Sequence, residues 1–138
     1  KARKKFGPEV TRRMIIGGFV PSAGHAGKYF LKALKVKSKL ISEINSAFEK
    51  FDYLIAPTSP VQPFRFGEKI DDPVTLMLLD YNTVTANLTG KPAISIPYGV
   101  SNGLPIGMQI MANTLEEKSL FQAAYALETK TKLPEVPL

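Results

Sequence analysis

The chain has 138 residues, 44% of them apolar and 22% charged, a globular composition at the size of one ordinary domain, so a single core is the ceiling. With no cysteine and one histidine, His25, it has no disulfide, no thiolate nucleophile and no cysteine-based metal site, and its acids lack the spacing of a calcium loop, so no metal ligand is expected. No apolar run approaches the roughly 20 residues that span a bilayer, and the cationic N-terminus leads into no signal-like stretch, so the expectation is a cytoplasmic protein without a membrane partner.

The net charge of +6 is uneven: residues 1–13 hold six cations against Glu9, and residues 28–39 hold five lysines and no acid. Lys28, Lys32, Lys35 and Lys39 recur at helical spacing, which describes a solvated helix face; a face for RNA phosphates is the alternative.

In chain order, Pro8 suits a first helical turn and Gly17-Gly18 a stop, predicting a helix over 8–18. Ser22 is a possible cap for a longer helix. From Tyr29 the apolar positions Tyr29, Ala33, Val36, Leu40, Ile44, Ala47 and Phe51 wind one stripe down it, widened by Phe30, Leu34, Ile41 and Phe48, so the helix is expected to pack on one side. Residues 52–56 read as a buried strand closed by Pro57, and Pro57, Pro60 and Pro63 force the next loop into extended backbone. A helix is expected from Pro73 to near Gly90, then strands over 93–97 and 105–111 joined by a turn at Ser101-Asn102-Gly103, and a last helix over 115–131 with Leu120, Ala123, Ala124 and Leu127 on one face. The pattern is mixed α/β with few strands.

Nucleophilic hydrolysis needs an activated serine, cysteine or lysine, and no nucleophile elbow or Ser-x-x-Lys is present. Ser22 and His25 lack an orienting acid, and Ser59 and Ser95 are expected to hydrogen-bond to backbone. Two charges carry more. Asp80 stands on a largely apolar helix and must pair or meet a cationic ligand to offset its desolvation. Arg13 follows Arg12 and precedes Met14-Ile15-Ile16, so one of the two arginines is expected to face inward, where a guanidinium can grip a carboxylate bidentately. An arginine and an aspartate in one pocket could hold the two charged groups of a free amino acid; a structural ion pair or exposed charges would look the same in the sequence.

Three stretches carry a family resemblance: Val10-Thr11-Arg12-Arg13-Met14-Ile15-Ile16-Gly17 with Ser22-Ala23-Gly24; Ala56-Pro57-Thr58-Ser59-Pro60; and Ala86-Asn87-Leu88-Thr89-Gly90-Lys91-Pro92-Ala93-Ile94-Ser95-Ile96-Pro97 with Gly103-Leu104-Pro105-Ile106-Gly107-Met108-Gln109-Ile110. Together they resemble the amidase-signature family and, within it, the glutamine-hydrolysing A subunits of tRNA-dependent amidotransferases. The resemblance implies the C-terminal portion of that fold, a mixed sheet covered by helices, with residues 1–138 as one segment of an amidase domain. It implies that the serine nucleophile, the second serine and the lysine of the family precede this region, so the segment by itself is expected to be inactive.

By the same resemblance Arg13 and Asp80 bind the head group of substrate glutamine, no catalytic or cofactor-binding residue lies in this segment, and ATP and magnesium belong to a partner subunit. The implied partners are the B and C subunits and, through them, aminoacyl-tRNA. His25-Ala26-Gly27 and Tyr98 depart from the family pattern, which commonly has two tyrosines and an aspartate at the first position and a cysteine at the second. A stand-alone amidase acting on small amides and a non-enzymatic basic RNA-binding module are the competing readings.

Overall fold

The computed structural model describes residues 6–20, 26–64 and 73–131. The chain folds as two compact units, Lys1–Leu40 and Ile41–Leu138.

In the first unit, α1 (Pro8–Phe19) starts where Gly7 is extended and Pro8 needs no N–H partner. The glycines expected to stop it do not: α1 runs through Gly17 and Gly18, and Val20 closes it in right-handed geometry, donating its N–H to the Ile16 carbonyl at 3.0 Å. Glycine ends a helix where the backbone must turn left-handed, and this end makes no such turn. A π-helical turn, Ala26–Phe30, then enters α2 (Leu31–Phe48), which begins in the first unit and continues into the second.

The predicted stripe on α2 has the right phase, yet Tyr29, Phe30, Leu34 and Val36 are all exposed, and the apolar positions become half-buried only from Leu40 onward, at Leu40, Ile41, Ile44, Ala47 and Phe48. Phe51 lies beyond the helix and is exposed. Periodicity sets which face of a helix is apolar; it does not supply the surface that covers it.

The second unit is built on a three-stranded sheet in the order β1-β3-β2, with β1 Tyr53–Pro57, β2 Ala93–Ser101 and β3 Leu104–Ala112. Both pairings are antiparallel, so these strands represent the mixed sheet implied by the resemblance through its antiparallel part alone. The β2–β3 hairpin turns on Asn102 and Gly103, with φ of 53° and 79°, the left-handed pair that a two-residue turn of matching twist requires. Both strands are longer than the sequence predicts. Their register slips between Pro97 and Gly99, leaving Tyr98 as the extra residue of a bulge.

The buried strand expected over 52–56 is observed as Tyr53–Pro57 and forms an edge of this sheet instead: Ile55 is exposed and Tyr53, Leu54 and Ala56 are half-buried. The buried strand is β3, with Gln109, Ile110, Met111 and Ala112 all covered.

Strand alternation sorts the two faces of the sheet. Ile96, Ile110 and Ala112 pack with Leu120 and Ala124 of α5 (Glu117–Lys130), with Tyr53, Ile94, Met108 and Leu127 around them. That is the expected apolar face of the last helix, and Tyr53 adds a hydroxyl bond to the Ser119 carbonyl at 3.1 Å.

The single helix expected over 73–90 is two, α3 (Pro73–Leu79) and α4 (Tyr81–Thr89), broken at Asp80 and closed by left-handed Gly90. Asn82 explains the break: its side-chain amide donates to the Pro57 carbonyl at 2.7 Å, and its own carbonyl accepts from Gln109 Nε2 at 3.2 Å. Those two bonds tie the first turn of α4 to β1 and β3.

Candidate functional site

Arg13 lies in the first unit and Asp80 in the second. On α1, Glu9, Arg12 and Arg13 stand at i, i+3 and i+4, which puts their side chains on one face by helical period alone. Arg12 grips Glu9 bidentately, Nε to Oε2 and Nη2 to Oε1, both at 2.8 Å. Arg13 Nε donates to Oε1, also at 2.8 Å. These bonds, Arg12 first and Arg13 second, lower the Glu9 carboxyl from 4.5 to about 2, and the same carboxylate raises the Arg12 guanidinium above its ordinary value. The arginine side chains are 38% and 52% exposed, so neither is the inward-facing member that the sequence led us to expect; an ion cluster along the helix surface engages both.

Asp80 is half-buried at the joint between α3 and α4, with φ −95° and ψ 2°, outside helical geometry. Its backbone carbonyl begins α4, accepting from the Val84 N–H at 2.9 Å and the Thr83 hydroxyl at 3.0 Å. Its carboxylate makes no capping bond to that helix, so the start of α4 rests on the main chain of Asp80 rather than on its charge.

A concavity of about 490 Å³ lies between the proline loop and the hairpin, with Leu79 from α3 in its lining. The Thr58 and Ser95 hydroxyls meet there at 2.6 Å above Gly107, where an added Cβ would lie 2.8 Å and 2.9 Å from their oxygens. The partner of Ser95 is therefore a hydroxyl rather than the expected backbone group; Ser59 Oγ accepts a bond from the backbone N–H of Val61 at 3.4 Å. Gln62 secures the mouth, donating to Ser101 Oγ at 2.8 Å and accepting from Asn102 Nδ2 at 3.0 Å. Among the described residues no charged side chain lines the groove, which suits it to positioning backbone or a neutral group.

Sequence reasoning passed over that hydroxyl pair, and also Lys91. Only 9% exposed, Lys91 donates to Asn113 Oδ1 at 2.7 Å and Thr114 Oγ1 at 3.0 Å, with the Phe48 ring centroid 5.4 Å from Nζ. The signal for the hydroxyl pair was available in Gly107, a glycine inside a strand pattern, which marks a close approach.

Ser22 and His25 lie outside the described residues, as does the Lys28 side chain. Among the described residues no three histidine or acidic side chains converge as metal ligands, and no helix is long and apolar enough to cross a membrane.

The amidase family profile matches residues 1–121, and the chain belongs to that family. Within it, the chain is 57% identical over 137 residues to the A subunit of glutamyl-tRNA(Gln) amidotransferase from Cenarchaeum symbiosum, covering 99% of this chain and 29% of that protein. The crystal structure of the same subunit from Thermotoga maritima superposes with a TM-score of 0.76 at 41% identity, over 98% of this chain and 30% of that one. A bacterial aryl acylamidase of the amidase-signature enzymes is more distant, at 26% identity and a TM-score of 0.66, over 89% of this chain and 26% of that one. The chain thus spans less than a third of the length of each of these relatives.

Proposed function

We propose that this chain forms the substrate-pocket segment of the glutamine-hydrolysing A subunit of a tRNA-dependent amidotransferase. The observation that carries the reading is the 57% identity over 99% of the chain to a protein of that name. Arg13 binds the carboxylate of glutamine and Asp80 its ammonium, a pairing of opposite charges on the two ends of an amino-acid head group. The family's serine nucleophile, assisted by the second serine and the lysine and contributed by the rest of the enzyme, attacks the side-chain amide and releases ammonia. The released ammonia would pass to an aminoacyl-tRNA held with the B and C subunits; ATP and magnesium, expected in a partner subunit, would supply the activation of the acceptor.

Within that scheme this chain's residues bind and orient; none forms or breaks a bond. Arg13→Ala and Asp80→Ala in the full-length enzyme should each weaken glutamine use by about 10- to 1000-fold, the scale of a lost charge-assisted contact. Hydrolysis of a neutral amide should change far less, since neither residue touches the scissile bond. Equal losses on both substrates would make the two residues structural and would favour a stand-alone amidase, whose substrates carry no such head group.

A further inference from the structure

We infer that Asn82 is a positioning residue for Asp80: held to the sheet at two points, it fixes where the α3–α4 joint, and with it the Asp80 main chain, stands. The inference rests on the reading of Asp80 as the ammonium site for glutamine.

The two points differ in kind. Thr58 donates its N–H to the Gly107 carbonyl at 2.9 Å. In a planar trans peptide the C=O lies opposite the N–H, so the Pro57 carbonyl points away from β3. Asn82 Nδ2 reaches that outward carbonyl at 2.7 Å. Gln109 supplies the second point. Met108 and Ile110 turn toward α5, so Gln109 between them turns to the opposite face of the sheet. Only 6% exposed, it donates Nε2 to the Asn82 carbonyl at 3.2 Å. One residue is thus pinned by its side chain to the edge of the sheet and by its main chain to the face, which leaves the first turn of α4 little freedom to slide or tilt.

Asp80 moves with that turn. Its carbonyl accepts from the Val84 N–H at 2.9 Å and the Thr83 hydroxyl at 3.0 Å, which couples its main chain to the helix. The tie acts on the backbone that carries the carboxylate, whatever the carboxylate itself engages. Leu79, on the other side of Asp80, lines the groove that holds Thr58 and Ser95, so the chain lies against the sheet both before and after Asp80.

Magnitude separates this role from a stabilising one. A neutral hydrogen bond makes a modest net contribution to folding, and Asn82 is only half-buried. A carboxylate that must meet a bound ammonium is more sensitive, because a misplacement of about 1 Å in a substrate-positioning group can cost roughly 100-fold.

The test uses the full-length enzyme with glutamine and a neutral primary amide as substrates. Asn82→Ala should raise KM for glutamine by roughly 3- to 30-fold with kcat little changed, and leave neutral-amide hydrolysis near that of the parent. Asn82→Gln, which keeps the donor on a longer arm, should recover part of the loss. Gln109→Met, which fills similar space and removes only the second tie, should show the same split between substrates to a smaller degree. Should Asn82→Ala fail to fold, Gln109→Met carries that comparison alone. Adding Asn82→Ala to Asp80→Ala should cost nothing further, since the group being positioned is gone. Equal losses on both substrates, or full additivity with Asp80→Ala, would overturn the inference. A silent Asn82→Ala alongside a damaging Asp80→Ala would overturn it while leaving the function standing, and a silent Asp80→Ala would remove both.

Discussion

The hydroxyls of Thr58 and Ser95 meet at 2.6 Å across the central strand of the sheet, and the residue beneath them is Gly107. They come from opposite sides of the sheet, Thr58 just after β1 and Ser95 within β2, so their bond closes over β3. A methyl group at position 107 would sit nearer to both oxygens than van der Waals radii allow. Gly107→Ala should therefore cost about 1–3 kcal/mol, the sum of a lost hydroxyl bond and local overpacking. Combined with Thr58→Ala, which removes one of the obstructing oxygens, the loss should be smaller than the sum of the single changes. Chemical denaturation of the four proteins checks this, and strict additivity would refute the steric account.

The ion cluster on α1 has a pH signature. The Glu9 carboxyl is lowered from 4.5 to about 2, so its favourable contribution is fully present above 4.5 and disappears as pH falls through about 2. NMR titration of the Glu9 side chain should give a midpoint well below 4.5, moving upward in Arg12→Ala more than in Arg13→Ala, and upward in high salt because the pair is exposed. A midpoint near 4.5 in the parent would mean the cluster does not persist in solution.

Along α2, covering of the apolar face begins at Leu40, and substitutions should follow that boundary. Ile44→Asp places a carboxylate in a half-buried apolar position and should lower stability by about 2 kcal/mol or more. Leu34→Asp and Lys35→Ser, at exposed positions, should each lie within about 0.5 kcal/mol of the parent. Comparable thermal midpoints for Ile44→Asp and Leu34→Asp would show that the two halves of the helix do not differ.

The features legible in the amino-acid sequence are those that local chemistry decides. Asn102-Gly103 names its own hairpin turn, Gly90 its helix end, and the spacing of Leu120, Ala124 and Leu127 the buried face of the last helix. Contacts between distant segments were not legible. The break at Asp80 follows from Asn82 bonding to Pro57 and Gln109, both far along the chain, and apolar periodicity runs across it unmarked. Likewise Tyr53-Leu54-Ile55-Ala56 looks like a buried strand because composition cannot tell an edge from a centre. Of the candidate site, Arg13 and Asp80 stood out as charges among apolar neighbours. The division of Glu9 between two arginines depends on rotamers, and spacing permits several.

The strand order also fixes a sequence of events. Of the three described strands, β3 is the last to leave the ribosome and the one that pairs with both others, so no pairing among them can form until it exists. β1 must wait for its partner, while the β2–β3 hairpin can close at once on its two-residue turn. A nascent chain arrested before Leu104 would therefore present two strands without β3 to whatever else is nearby, and the prolines at 57 and 97 interrupt the ladders those strands could otherwise offer to another chain.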